Sequence, residues 1–143
     1  MFRYPRQIQF YETDLMGIVH HGNYLRIYEE ARVSWAHHHG ILDYQKPETA
    51  SHLAVLETAV RHIKPSRFGD KVEIQVQAKL DGIKIIFEYK MLRPLLAESS
   101  ELISEARTTH VALNLDLKPI KPPQPLKSIL ENEKWIETWL LNL

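Results

Sequence analysis

Tyr24, Ile27, Tyr28, Ala31 and Trp35 recur at spacings of three and four. That spacing places all five on one face of an α-helix. Asn23 is a candidate N-cap and Gly40 a candidate stop, so the helix is expected over about 24–39. Ahead of it, residues 2–10 hint at a strand, and Tyr11-Glu12-Thr13-Asp14-Leu15-Met16-Gly17 reads as a loop. Beyond Pro47 the period falls to two. Residues 53–63 form a candidate strand with imperfect alternation. Val72, Ile74, Val76, Ala78 and Leu80 alternate with Glu73, Gln75, Gln77 and Lys79, the pattern of a strand with one wet face. Asp81-Gly82 predicts a two-residue hairpin turn with positive φ at both central positions. The next strand runs over about 83–92 and stops before Pro94; the last spans roughly 101–114. Four of the eight prolines fall in 119–125, which predicts an extended strap. A final helix is expected over about 126–142, with Leu126, Ile129, Ile136, Leu140 and Leu143 on a stripe and Trp135 and Trp139 beside it.

One long helix against one antiparallel sheet makes a two-layer α+β domain. With no boundary or repeat in sight, residues 1–143 read as a single domain. Strand 83–92 carries apolar residues on both faces. One face is expected to pack on the helix and the other against a partner chain, which predicts a homodimer or homotetramer. Apolar residues make up 44% of the chain, enough for a globular core. Eighteen basic residues balance eighteen acidic ones, which disfavours nucleic acid as a partner. The lack of cysteine excludes disulfides and thiolate chemistry. No apolar run approaches 18 residues and the N-terminus carries no signal-like run, so no membrane insertion and a cytoplasmic location are expected. His37-His38-His39 suggests a metal tract, but consecutive helical residues point in different directions, so no metal and no cofactor are expected.

The stretch Tyr11-Glu12-Thr13-Asp14-Leu15-Met16-Gly17-Ile18-Val19-His20-His21-Gly22-Asn23-Tyr24, continued by Tyr28-Glu29-Glu30-Ala31-Arg32, resembles the signature of the 4-hydroxybenzoyl-CoA thioesterase family. It is most similar to the acyl-CoA thioesterase branch linked to the Tol-Pal gene cluster. Pro65-Ser66-Arg67-Phe68-Gly69-Asp70 and Glu105-Ala106-Arg107-Thr108-Thr109-His110-Val111 resemble two further family segments, so the likeness covers about residues 6–114. It implies the hotdog fold, a long central helix wrapped by a curved antiparallel sheet, and hydrolysis of an acyl-CoA thioester. The family's catalytic carboxylate falls on Asp14 and its histidine on His21. Its helix glutamate falls on Glu29 and the following arginine on Arg32.

Thioester hydrolysis needs a base or nucleophile and a donor where charge develops on oxygen. Asp14 suits the first role as either base or nucleophile, and His21 can orient it or move a proton. Backbone amides around Gly22 and Asn23 at the helix start are candidate ligand donors, and Tyr24 is a candidate wall of the acyl tunnel. A further backbone donor is expected near Ala50 to Leu53. Arg61, Lys64, Arg67 and Lys71 form a basic cluster suited to the phosphates of CoA. His52 and His62 are within reach of the site in principle. Leu15 and Met16 in the loop hint at an aliphatic acyl group. The rival readings are an acyl-thioester dehydratase or hydratase, and a non-catalytic acyl-CoA-binding module.

Overall fold

The computed structural model describes residues 1–141. Six strands are joined with two α-helices: β1 (Phe2–Gln7), α1 (His21–His38), β2 (His52–His62), β3 (Lys71–Asp81), β4 (Lys84–Pro94), β5 (Ser100–Leu113), β6 (Pro119–Ile120) and α2 (Gln124–Asn132). The sheet order is β1-β3-β4-β5-β2, with β1 and β2 at the edges. Every pairing is antiparallel. β6 pairs with Ala112 and Leu113, just beyond Val111 where β4 ends its own ladder on β5. This is the expected helix against an antiparallel sheet.

The helix face predicted from spacing is the face that is buried: Tyr24, Ile27, Tyr28, Ala31 and Trp35 are at most 4% exposed. They meet Val72, Ile74, Val76 and Ala78 of β3 and Ile85, Phe87, Tyr89 and Met91 of β4 in one core. Each large side chain sealed there contributes about 1.5–3 kcal/mol. The Tyr28 hydroxyl would oppose burial if left unpaired; it donates to Ser104 Oγ at 2.7 Å.

Several expected boundaries move. α1 begins at His21, and its N-cap is His20 rather than Asn23: the His20 ring accepts the Gly22 N–H. Gly40 does stop the helix, with a φ of +76° and its N–H donating to His37 O. In the β3–β4 hairpin Asp81 pairs with Lys84, so the loop residues are Gly82 and Ile83. Only Gly82 has positive φ, as a type II′ turn requires. β4 runs through Pro94 instead of stopping before it, because Pro94 sits at the ladder's last position.

The C-terminal segment differs most. α2 ends at Asn132, and the chain continues through 133–141 without regular secondary structure; Leu143 lies outside the described residues. The outer face of β4 expected to meet a partner is covered by this same chain. Glu88 is fully buried there. Its Oε1 accepts the Trp139 N–H at 2.8 Å and a Gln77 Nε2 hydrogen at 3.1 Å. Its Oε2 accepts the Leu140 N–H and two bonds from Arg107. Gln77 also donates to Glu137 O and accepts the Ile136 N–H. Lys79 and Lys90 lie over the rings of Trp135 and Trp139. A helix over 133–141 would turn these backbone groups back on themselves; the polar trio on the sheet offers them partners instead.

Candidate active site

The polar segment between β1 and α1 is tied down at three points. Glu12 is buried, and its Oε1 accepts from Arg6 at 2.9 Å and from the Gln9 N–H at 2.8 Å. Its carbonyl accepts the His20 N–H and the Asn23 side-chain amide. Val19 N–H donates to Ser66 O, and Ile18 bridges to Arg67. Between these anchors the chain reverses: Asp14 N–H donates to Ile18 O, Gly17 N–H donates to Asp14 O, and Gly17 has a φ of +77°. Asp14 therefore sits at the tip of a fixed loop. Its Oδ1 accepts the Met16 N–H at 2.8 Å, an aspartate turn that also holds the carboxylate in place.

The loop, the first turn of α1 and the end of β2 line an open hollow of about 400 Å³. Asp14, His21, Tyr24, His62 and Lys64 supply its polar groups, and Met16, Ile18, Val19, Ile63 and Pro65 its apolar wall. His62 stands edge-on to Tyr24, with ring centres 4.8 Å apart. Burial, then the neighbouring His21, pushes the His62 imidazole below its ordinary pKa. Burial pushes the Tyr24 hydroxyl up, against the opposing pull of Ser66 beside it. The cavity thus places a carboxylate, two imidazoles, a phenol and an ammonium around one space.

Asp14, His21, Tyr24 and Lys64 all line this hollow, although Lys64 also pairs with Glu101 at 2.7 Å. The other candidates do not join them. The Gly22 N–H is engaged by His20 Nδ1 at 3.0 Å. The Asn23 N–H donates to His20 O, and its side chain is turned to Glu12, so it braces the loop. Neither amide stands free, because residue 20 supplies the cap. Arg61 donates to Leu141 O at 2.7 Å and pairs with Glu105. Neighbours on a strand point to opposite faces, so placing His62 in the cavity turns Arg61 away from it. Arg67 and Lys71 are exposed and not among the lining residues. Leu15 is fully exposed, leaving Met16 as the loop's apolar contribution. In the histidine tract His37 stacks on Tyr44, while His38, on Phe2, and His39, on Trp35, keep their own rings edge to face at 5.1 Å.

Among the described residues no helix is long and apolar enough to cross a membrane. The sequence profile of the thioesterase-like superfamily matches residues 8–132. The chain is 27% identical over 128 residues to the acyl-CoA thioester hydrolase YbgC of Escherichia coli, covering 88% of this chain and 92% of that one. It is 28% identical over 133 residues to a 1,4-dihydroxy-2-naphthoyl-CoA hydrolase of Thermosynechococcus vestitus, covering 90% and 88%. Among solved structures, a hypothetical protein of Aquifex aeolicus superposes with a TM-score of 0.80 at 27% identity, covering 91% of this chain and 99% of that one. With its helix wrapped by an antiparallel sheet and this match along most of its length, the chain belongs to the thioesterase-like superfamily and has the hotdog fold.

Proposed function

We propose that the protein hydrolyses acyl-CoA thioesters to the free acid and CoA, in the cytoplasm, as a member of the acyl-CoA branch its loop motif resembles. The cavity that gathers Asp14, His21, Tyr24, His62 and Lys64 at the start of α1 is the observation that carries this reading. The Asp14 carboxylate takes a proton from water as the water oxygen bonds to the thioester carbon; attack by the carboxylate itself is the alternative route. The C–S bond breaks, the electron pair leaves on the CoA sulfur, and the proton passes to that thiolate or to solvent. His21 orients the acyl oxygen, and the Gly22 N–H donates to it when His20 releases that bond. Lys64 takes a phosphate of CoA. YbgC carries the name of an acyl-CoA thioester hydrolase, which supports CoA as the thiol.

Free-thiol release from a panel of aliphatic and aromatic acyl-CoAs tests the reading. Wild type should turn over, and Asp14→Asn should lose about 10²–10⁴-fold in kcat with its fold intact. Equal rates in both proteins would remove Asp14 from the chemistry. No release by wild type would favour a binding module or a dehydratase.

A further inference from the structure

A second cavity opens at the other end of β2. Leu53 lines it and His62 lines the first; they are nine residues apart on one strand, about 30 Å at roughly 3.3 Å per residue. The second cavity holds about 230 Å³ between the C-terminal half of α1, the loop after it and β4. Trp35, Ala36, Ile41, Leu53, Phe87 and Leu126 give it an apolar, partly aromatic wall. Arg32 is its charged lining residue.

That guanidinium is poorly compensated. The Arg32 side chain is only 17% exposed. The one carboxylate paired with it among the described residues, Glu29, is 3.8 Å away, beyond hydrogen-bond distance, and is itself 67% exposed. Of five N–H donors, one reaches the Tyr89 hydroxyl at 3.2 Å. Behind Tyr89 the chain of hydrogen bonds runs to Thr108 Oγ1 at 2.7 Å and on to His110 Nε2 at 2.8 Å. His110 is 1% exposed, and its Nδ1 has no hydrogen-bond partner among the described residues. Its ring meets Phe87, a wall of the cavity, edge-on at 5.5 Å. Apart from the distant, exposed Glu29, none of these neighbours among the described residues is anionic. A largely buried cation beside an apolar space favours an anion that brings its own apolar body. The planar fork of arginine matches a carboxylate. At about 230 Å³ the space falls below the roughly 300–1,000 Å³ that drug-sized ligands take.

We propose that this cavity binds a small carboxylic acid, with its carboxylate on Arg32 and its apolar body against the wall that Trp35, Ala36, Ile41 and Leu53 form. The acid is either free in solution or the far end of an acyl chain whose thioester sits in the Asp14 pocket of a second copy. Only the second source rests on the hydrolase reading.

Titration of the full chain with benzoate tests the site without any turnover. Benzoate should bind at least ten-fold more tightly than its neutral counterpart benzyl alcohol and should shift the Trp35 indole N–H resonance. Arg32→Gln should weaken benzoate at least ten-fold, Arg32→Lys less, and Asp14→Asn should leave it unchanged. Ala36→Leu, which fills the space without touching the charge, should also weaken binding and covers the case in which Arg32→Gln fails to fold. Benzoate binding that is absent in wild type, or unchanged in Arg32→Gln and Ala36→Leu, would overturn the proposal. The source is read from hydrolysis of two thioesters of equal chain length, one ending in a carboxylate and one in a methyl group. A ten-fold fall in kcat/KM for the carboxylate alone in Arg32→Gln assigns the acyl end. Benzoate binding without that selective fall assigns the free acid.

Discussion

Asp14 and Lys64 line one cavity, but their substitution should be felt by different parts of a substrate. Lys64 is half-exposed and shared with Glu101, so a phosphate has to compete for it. Lys64→Ala should raise KM for an acyl-CoA about three- to ten-fold, in keeping with loss of one partly exposed charge contact. It should leave KM for the same acyl group on a short phosphate-free thiol unchanged. Equal KM shifts on both thioesters would place the ammonium away from CoA. His110 makes a different prediction. Burial, helped by the Arg32 charge, lowers its pKa to about 4. In the unfolded chain the ring binds its proton near 6.5. Between those values the unfolded state holds more protons, so stability is lost as pH falls from about 6.5 to 4, by about 3 kcal/mol in all. His110→Leu should flatten that part of the urea-stability profile relative to wild type; identical slopes would refute the assignment. Asp14 and His21 line one hollow because their loop is local; its dense pattern of residue types carries the family resemblance, and that resemblance, not spacing or composition, pointed to the two. His62 and Arg61 were not separable, since which of two neighbours faces the cavity depends on the register of β2 against β5.

At the scale of elements, α1 and β3 followed from period alone, because burial of one face imposes the period. Their ends did not, since His20 caps through a ring nitrogen that composition does not flag. The segment after α2 shows the limit of an apolar stripe. Ile136 and Leu140 fit a helix by spacing, yet Ile136 is 51% exposed and Leu140 is buried. Gln77, Glu88 and Arg107 lie on three different strands, and no local pattern reveals that they meet. Glu88→Ala leaves Arg107 without its carboxylate and the Trp139 and Leu140 N–H groups without their acceptor. It should destabilise the fold by about 3–5 kcal/mol in urea unfolding and make the chain beyond Asn132 sensitive to protease. A change below 1 kcal/mol would mean that the strap adds little to the fold.

For the whole molecule, covering β4 with the chain's own C-terminal segment removes the original reason to expect a partner on that face. The unpaired edge of β2 supplies another. Val55 and Leu56 are 53% and 48% exposed, where the β2–β5 register shifts between Val55 and Glu57. An exposed apolar edge is a template for a further strand. We expect an oligomer joined there, with a light-scattering mass of two chains or more. Leu56→Lys should shift it toward one chain at micromolar concentration; a wild-type mass of one chain, in active protein, would defeat the expectation.

The clamp formed by Gln77, Glu88 and Arg107 grips main-chain groups: the N–H of Ile136, Trp139 and Leu140 and the carbonyls of Glu137 and Leu140. Such a grip is indifferent to most side chains at those positions. A library randomised at residues 136–138 should therefore retain folded members far more often than one randomised at the clamp.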